Sequence, residues 1–207
     1  MGALSKLEAV NRILRSAGEF PVSTLNSQSN DTLLAVSVLD EQTLYANMEG
    51  SLQNTVYTTI TATADGQFLL PDSLLHIETV GEDAGILVST RGNNPTLLYD
   101  VVNNTTTWTC STLDVQQVIR LDFEDLPTQQ QFSVTDYASR LYQMQTVGDV
   151  NQDALLAQQQ MLSDARSKQA DARSRKANFL WGMNENPMKS RITLTGNPRY
   201  YNPRLGD

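Results

Sequence analysis

His76 is the only imidazole in this chain and Cys110 the only thiol, so acid–base, nucleophilic and metal chemistry have few residues to draw on. A Ser-His-Asp relay through His76 would need a nucleophile on a strained turn and backbone donors for an oxyanion, and no Gly-x-Ser-x-Gly elbow accompanies it. Beside Ile77 in a β-type stretch, His76 is expected to be a structural histidine with its hydrogen bonds satisfied. Neither zinc-type His/Cys spacing, a Walker loop nor a Gly-x-Gly-x-x-Gly run is present, so the expectation is no enzyme, no metal and no cofactor. Asp122, Glu124 and Asp125 could offer carboxylate oxygens to a hard cation, but without the spacing of a calcium loop they read as an exposed connector. Cys110, in a Thr-rich segment, has no partner for an intrachain disulfide and is expected to fill space in or near a strand.

Residues suited to recognition gather at the other end. Arg173, Arg175, Lys176, Trp181, Arg191, Arg199, Tyr200, Tyr201 and Arg204 have the composition of a protein interface hot spot, and these form the candidate docking arm. The same types stack on nucleic acid bases, which leaves a DNA-binding packaging or regulatory factor as the competing reading. Charge argues against that reading. The net charge is −8, and a chain built to grip phosphates clusters Lys and Arg instead. Residues 1–163 hold six basic and nineteen acidic residues, whereas 164–207 hold nine basic and four acidic, giving an acidic body with a basic end. Such polarity can steer one face toward an acidic partner.

Elements must position these residues. Leu7, Val10, Ile13, Leu14 and Ala17 recur at helical spacing, Gly18 stands where a helix C-cap glycine would, and Pro21 prevents resumption. Asn30 or Asp31 is placed to cap a second helix running to about Gln53, with Leu33, Val36, Leu39, Leu44, Met48 and Leu52 as its buried face. From Thr55 the texture turns to β-branched alternation punctuated by Gly, Asn and Pro. It predicts strands at Val56–Thr61, Gln67–Leu70, Leu74–Val80, Ile86–Thr90, Thr96–Val101, Thr106–Cys110 and Val115–Leu121. Thr128 is placed to cap a third helix to about Gln145, broken by Val147, Gly148 and Asp149. A last helix, Gln152 to Leu180, carries Leu155, Leu156, Met161, Leu162, Ala165 and Ala172, with its basic half extending beyond the body. The fold class expected is α+β: a discontinuous helical bundle (1–54 and 127–180), an inserted antiparallel β lobe (55–126) and an extended C-terminal arm (181–207). No apolar run is long enough to span a membrane and the N-terminus lacks a signal pattern, so the protein is expected to be soluble and made in a cytoplasm.

Asn11, Ile13, Leu14, Ser16, Gly18, Glu19, Pro21, Val22, Ser23, Thr24 and Leu25 together resemble the tail tubular protein A family of short-tailed, T7-like phages. The order of later features fits the same family: a turn at Leu69, Leu70, Pro71 and Asp72, a strand Val115–Leu121 followed by Asp122, Glu124, Leu126 and Pro127, and a helix containing Ala138, Ser139 and Arg140. The resemblance covers residues 4–176, and the last thirty or so residues match nothing in it.

This resemblance implies a structural adaptor, or gatekeeper, forming a ring of about twelve copies by heterologous contacts. The ring would join the portal to the tail nozzle (tail tubular protein B), near the tail fibres, at the portal vertex of the virion. Double-stranded DNA would pass through it without sequence-specific binding during retention and ejection. No membrane is implied. An acidic wall would keep DNA from sticking.

Overall fold

The computed structural model describes residues 3–26, 29–93 and 95–174. The candidate arm residues Arg175, Lys176, Trp181, Arg191, Arg199, Tyr200, Tyr201 and Arg204 lie outside these. The architecture is α+β, with four helices, α1 (Lys6–Ser16), α2 (Asn30–Met48), α3 (Thr128–Thr146) and α4 (Val150–Ser174), and six strands between α2 and α3. Two compact units result: a helical unit of residues up to Asn54 and from Arg120 to Ser174, and a β unit of Thr55–Ile119.

In the helical unit, α3 packs against all of α1, α2 and α4. Helix α1 opens on a capping box, in which the Ser5 hydroxyl accepts from the Glu8 amide while the Glu8 carboxylate accepts from the Ser5 amide. Those hydrogen bonds from Ser5 hold the Glu8 carboxyl below its ordinary pKa. Gly18 ends the helix at φ +82°, and the Glu19 amide reaches back to the Leu14 carbonyl, closing a Schellman turn. The core gathers Ala9, Val10, Ile13 and Leu14 of α1, Ala35, Val38 and Leu39 of α2, Phe123, Leu126, and Val134, Ala138 and Tyr142 of α3.

The inward face of α2 differs from the sequence expectation. Leu39 is buried, but its companions are Thr32, Ala35, Val38, Gln42, Thr43 and Asn47, while Leu33, Leu44, Met48 and Leu52 are exposed. The helix stops at Met48, short of Gln53, and the residue at its N-cap is Ser29 in place of the expected Asn30 or Asp31. Apolar residues surround α2 on all sides, so period alone could not select the side that its own chain covers. Thr128, expected to cap α3, is its first residue, after an N-cap Pro127 that makes no side-chain hydrogen bond. Gly148, at φ +69°, ends α3 by donating to the Gln143 carbonyl.

The β unit holds two three-stranded antiparallel sheets, with strands β1 (Thr55–Thr61), β2 (Leu69–Leu70), β3 (Leu74–Thr79), β4 (Val88–Arg91), β5 (Thr96–Asp100) and β6 (Thr112–Ile119). One has the order β1-β6-β3, with Thr55 opposite Val118 and Thr61 opposite Thr112; the other has the order β2-β5-β4. Phe68, Leu70, Ile77, Leu98, Leu113 and Val115 form its core, and Cys110 packs at the margin. Residues 106–110, expected as a strand, are irregular. There the Thr105 hydroxyl takes the Thr107 amide, and Trp108 turns its ring edge onto Phe68 while its indole N–H donates to the Leu98 carbonyl. Side-chain partners here replace a ladder.

Candidate assembly surface

The chain contains side chains that act as backbone clamps. Asn11 pairs with both main-chain groups of Val22, its amide donating to the carbonyl (2.9 Å) and its oxygen accepting from the N–H (2.7 Å), which fixes the elbow after α1. The Ser16 hydroxyl meets the carbonyls of Ile13 and Ser139. Buried Asn47 grips Leu121 in the same two-sided way, from α2 to the returning chain. Gln131 accepts from the Leu4 amide and donates to the carbonyls of Phe123 and Glu124. Asn11, Ser16 and Val22, which carry part of the family resemblance, therefore hold the shape of the elbow after α1.

The residues considered for chemistry are spread out. The main chain of His76 stands opposite Val118 in the β3–β6 ladder, while its side chain is exposed and makes no hydrogen bond or ion pair among the described residues, so the expectation of a structural histidine satisfied by protein groups does not hold. The Glu124 carboxylate accepts the Lys6 amide at the start of α1, and among the described residues no group of three His, Cys, Asp or Glu is placed to hold a metal ion. No described helix is long and apolar enough to cross a membrane. Of the candidate arm, Arg173 is described: it is exposed in the last turn of α4, where a cation meets the negative end of the helix dipole.

Helix α4 is the unusual element. It faces α3 with polar groups: Arg140 of α3 forks onto both oxygens of Asp153 (2.6 and 3.1 Å) and reaches Gln160, while Gln159 donates to buried Asp136. The hydrogen bond from Arg140 lowers the Asp153 carboxyl pKa, and the same contact raises that of the guanidinium. Asp136 is also paired with Arg12 of α1 at 2.8 Å, and the Arg12 guanidinium lies over the Phe132 ring. At its ends, Gln152 donates to the Ser16 carbonyl and Asp171 accepts the Leu52 amide, so α4 is tied down along its described length. The one fully buried residue of α4 is Ser163.

Its apolar side chains point the other way. Val150, Leu155, Met161 and Leu162 are each more than half exposed, and Ala154, Ala165 and Ala172 share that outward side by helical spacing. On α2, Leu33, Tyr45 and Met48 are likewise more than half exposed, with Leu34 and Leu44 beside them. Helix α4 thus sets polar groups against α3, with Leu156 half-buried, and leaves apolar side chains exposed. Period predicts the leucines of both helices as self-packing because it reports a face without saying what covers it; of them Leu39 is buried and Leu156 half-buried.

Comparison with known proteins places the chain in a family. A family model described as "Tail tubular protein" matches residues 7–178. The chain belongs to the tail tubular protein family. A curated relative, Tail tubular protein A of Klebsiella phage KP34, is 30% identical over 149 residues, covering 72% of this chain and 77% of the relative. The protein is thus a structural component of a phage tail, in a family that is not one of enzymes.

Proposed function

We propose that this tail tubular protein is the adaptor of the tail: a ring of about twelve copies that joins the portal to the nozzle and continues the DNA channel for genome retention and ejection. The observation that carries the reading is the family match over residues 7–178, on a helical unit whose α2 and α4 leave apolar faces uncovered. A ring repeats one modest contact at every subunit boundary, so each interface can be small while the closed assembly is stable. The acidic excess of residues 1–163 suits a channel wall that repels DNA. The basic segment from Arg173 onward is the proposed portal-docking arm, carried by Arg173, Arg175, Lys176, Trp181, Arg191, Arg199, Tyr200, Tyr201 and Arg204.

The test is the mass of the purified protein with and without its portal, by native mass spectrometry or light scattering, followed by imaging. A portal-bound ring of about twelve copies is expected. A protein that ignores the portal but binds DNA with a steep loss of affinity in salt would replace this reading with a DNA-binding packaging or regulatory factor.

A further inference from the structure

We infer that the outward face of α4 docks on the exposed face of α2 of a second copy of this chain, making the head-to-tail contact of the ring. The inference rests on the ring reading above and adds to it the two surfaces that meet. Three observations support it.

The first is the distribution of apolar residues. Helix α2 carries apolar residues on every side among its polar ones, yet its own chain covers the side of Ala35, Val38 and Leu39 and leaves Leu33, Leu44 and Met48 exposed. The second is the seam of α4, which sets Asp153, Gln159 and Gln160 against Arg140 and Asp136 of α3 and leaves Leu155, Met161 and Leu162 outward, around Ala165. Small residues between larger ones let a neighbouring helix approach closely.

The third is charge, which selects the partner. No Lys or Arg occurs within α2, and Asp31 and Glu41 make no ion pair among the described residues, so its exposed face is apolar and negative. On α4 the acids are occupied: Asp153 by Arg140, Asp164 by Lys168 and Asp171 by the Leu52 amide. Arg166 and Arg173 make no ion pair among the described residues, so its outward face is apolar and positive. Like faces therefore repel and unlike faces attract, and both belong to one helical unit. A contact between different faces of identical chains propagates from subunit to subunit and closes into a ring when the rotation permits, whereas self-pairing of one face would stop at a dimer.

The test uses two full-length variants, Leu44→Arg on α2 and Ala165→Arg on α4. Both sites are exposed, so neither change should disturb the fold, which circular dichroism would check. Each variant loses one face and keeps the other. At concentrations where the native protein assembles, each alone should remain a single chain, with association weakened at least about tenfold. Mixed in equal amounts, they should form pairs and nothing larger, because the intact α4 face of the Leu44→Arg chain meets the intact α2 face of the Ala165→Arg chain. Variants that assemble like the native protein would overturn this contact and leave the ring with another interface. Variants that stay single even when mixed would also overturn it, assigning the faces to residues 175–207 or to the portal. A native protein that remains single at every concentration, alone and with portal, would overturn the ring reading as well.

Discussion

Asp136 shows how a single residue determines whether the helices hold together. Its carboxylate is almost wholly buried, and one oxygen receives both the Arg12 guanidinium and the Gln159 amide. Asp136 is buried while Arg12 is about one-third exposed, so removing Arg12 leaves a buried carboxylate held by the Gln159 amide alone. Arg12→Met should therefore destabilise the protein by about 1–2 kcal/mol in urea unfolding, and Asp136→Asn in the Arg12→Met background should recover part of that loss. A double variant no more stable than Arg12→Met alone would contradict the assignment. Little of this was legible beforehand. Asn11, Asn47, Gln131 and Asp136 read as polar positions on helices, and their partners Val22, Leu121, Leu4 and Arg12 lie at separations that no local pattern encodes. The Ser5–Glu8 capping box was legible in principle, since Ser-x-x-Glu ahead of an apolar run is its signature.

Helix α4 raises the corresponding question for an element: what keeps it docked when its seam is polar. Arg140 and Asp153 form the centre of that seam. Because Arg140 depresses the Asp153 pKa in the folded protein, the native state binds fewer protons than the unfolded chain as pH falls. The stabilisation is thus present above the ordinary carboxylate value of 3.8 and is lost as pH drops through the depressed native one. Glu8 and Asp100 are lowered too, by Ser5 and by Asn103 respectively, and contribute in the same direction. The difference between proteins is what isolates α4: between about pH 5 and 2, Asp153→Asn should show a shallower loss of stability than the native chain. Equal slopes would mean that the fork onto Arg140 contributes nothing. At the alkaline end the sign is set by Tyr142, whose buried phenol is raised by desolvation, so stability falls as pH rises past the ordinary tyrosine value of 10.0. The existence and order of the helices were readable from period and from Gly18 and Gly148, although the N-caps of α2 and α3 fall one residue or more before the residues expected to cap them. The faces of α2 and α4 were not, because both helices carry more apolar surface than one chain can cover.

At the scale of the whole molecule, the helical unit is assembled from two stretches of chain separated in sequence by the β unit. The chain leaves the helical unit after Asn54 and returns at Arg120, and the first residue beyond the exit, Thr55, stands opposite Val118 across an antiparallel pair. Residues opposite each other in such a pair are about 5 Å apart, so exit and return are neighbours. The clamp of Asn47 on Leu121 and the bonds of Asn54 to Asn47 lie wholly on the helical side of this junction. Replacing 55–119 by a linker of about three Gly or Ser residues should therefore leave all of the core around Ile13, Leu39 and Tyr142 intact. The shortened protein is expected to melt cooperatively with helical circular dichroism, and Leu44→Arg and Ala165→Arg versions of it should behave toward one another as the full-length variants do. If the shortened chain is instead unfolded while Phe68→Ala, which opens a cavity only in the β core, also lowers the stability of the helices, then the two units fold as one. The β unit would in that case contribute to forming the helical faces on which assembly depends, and its role would extend beyond carrying surface of its own.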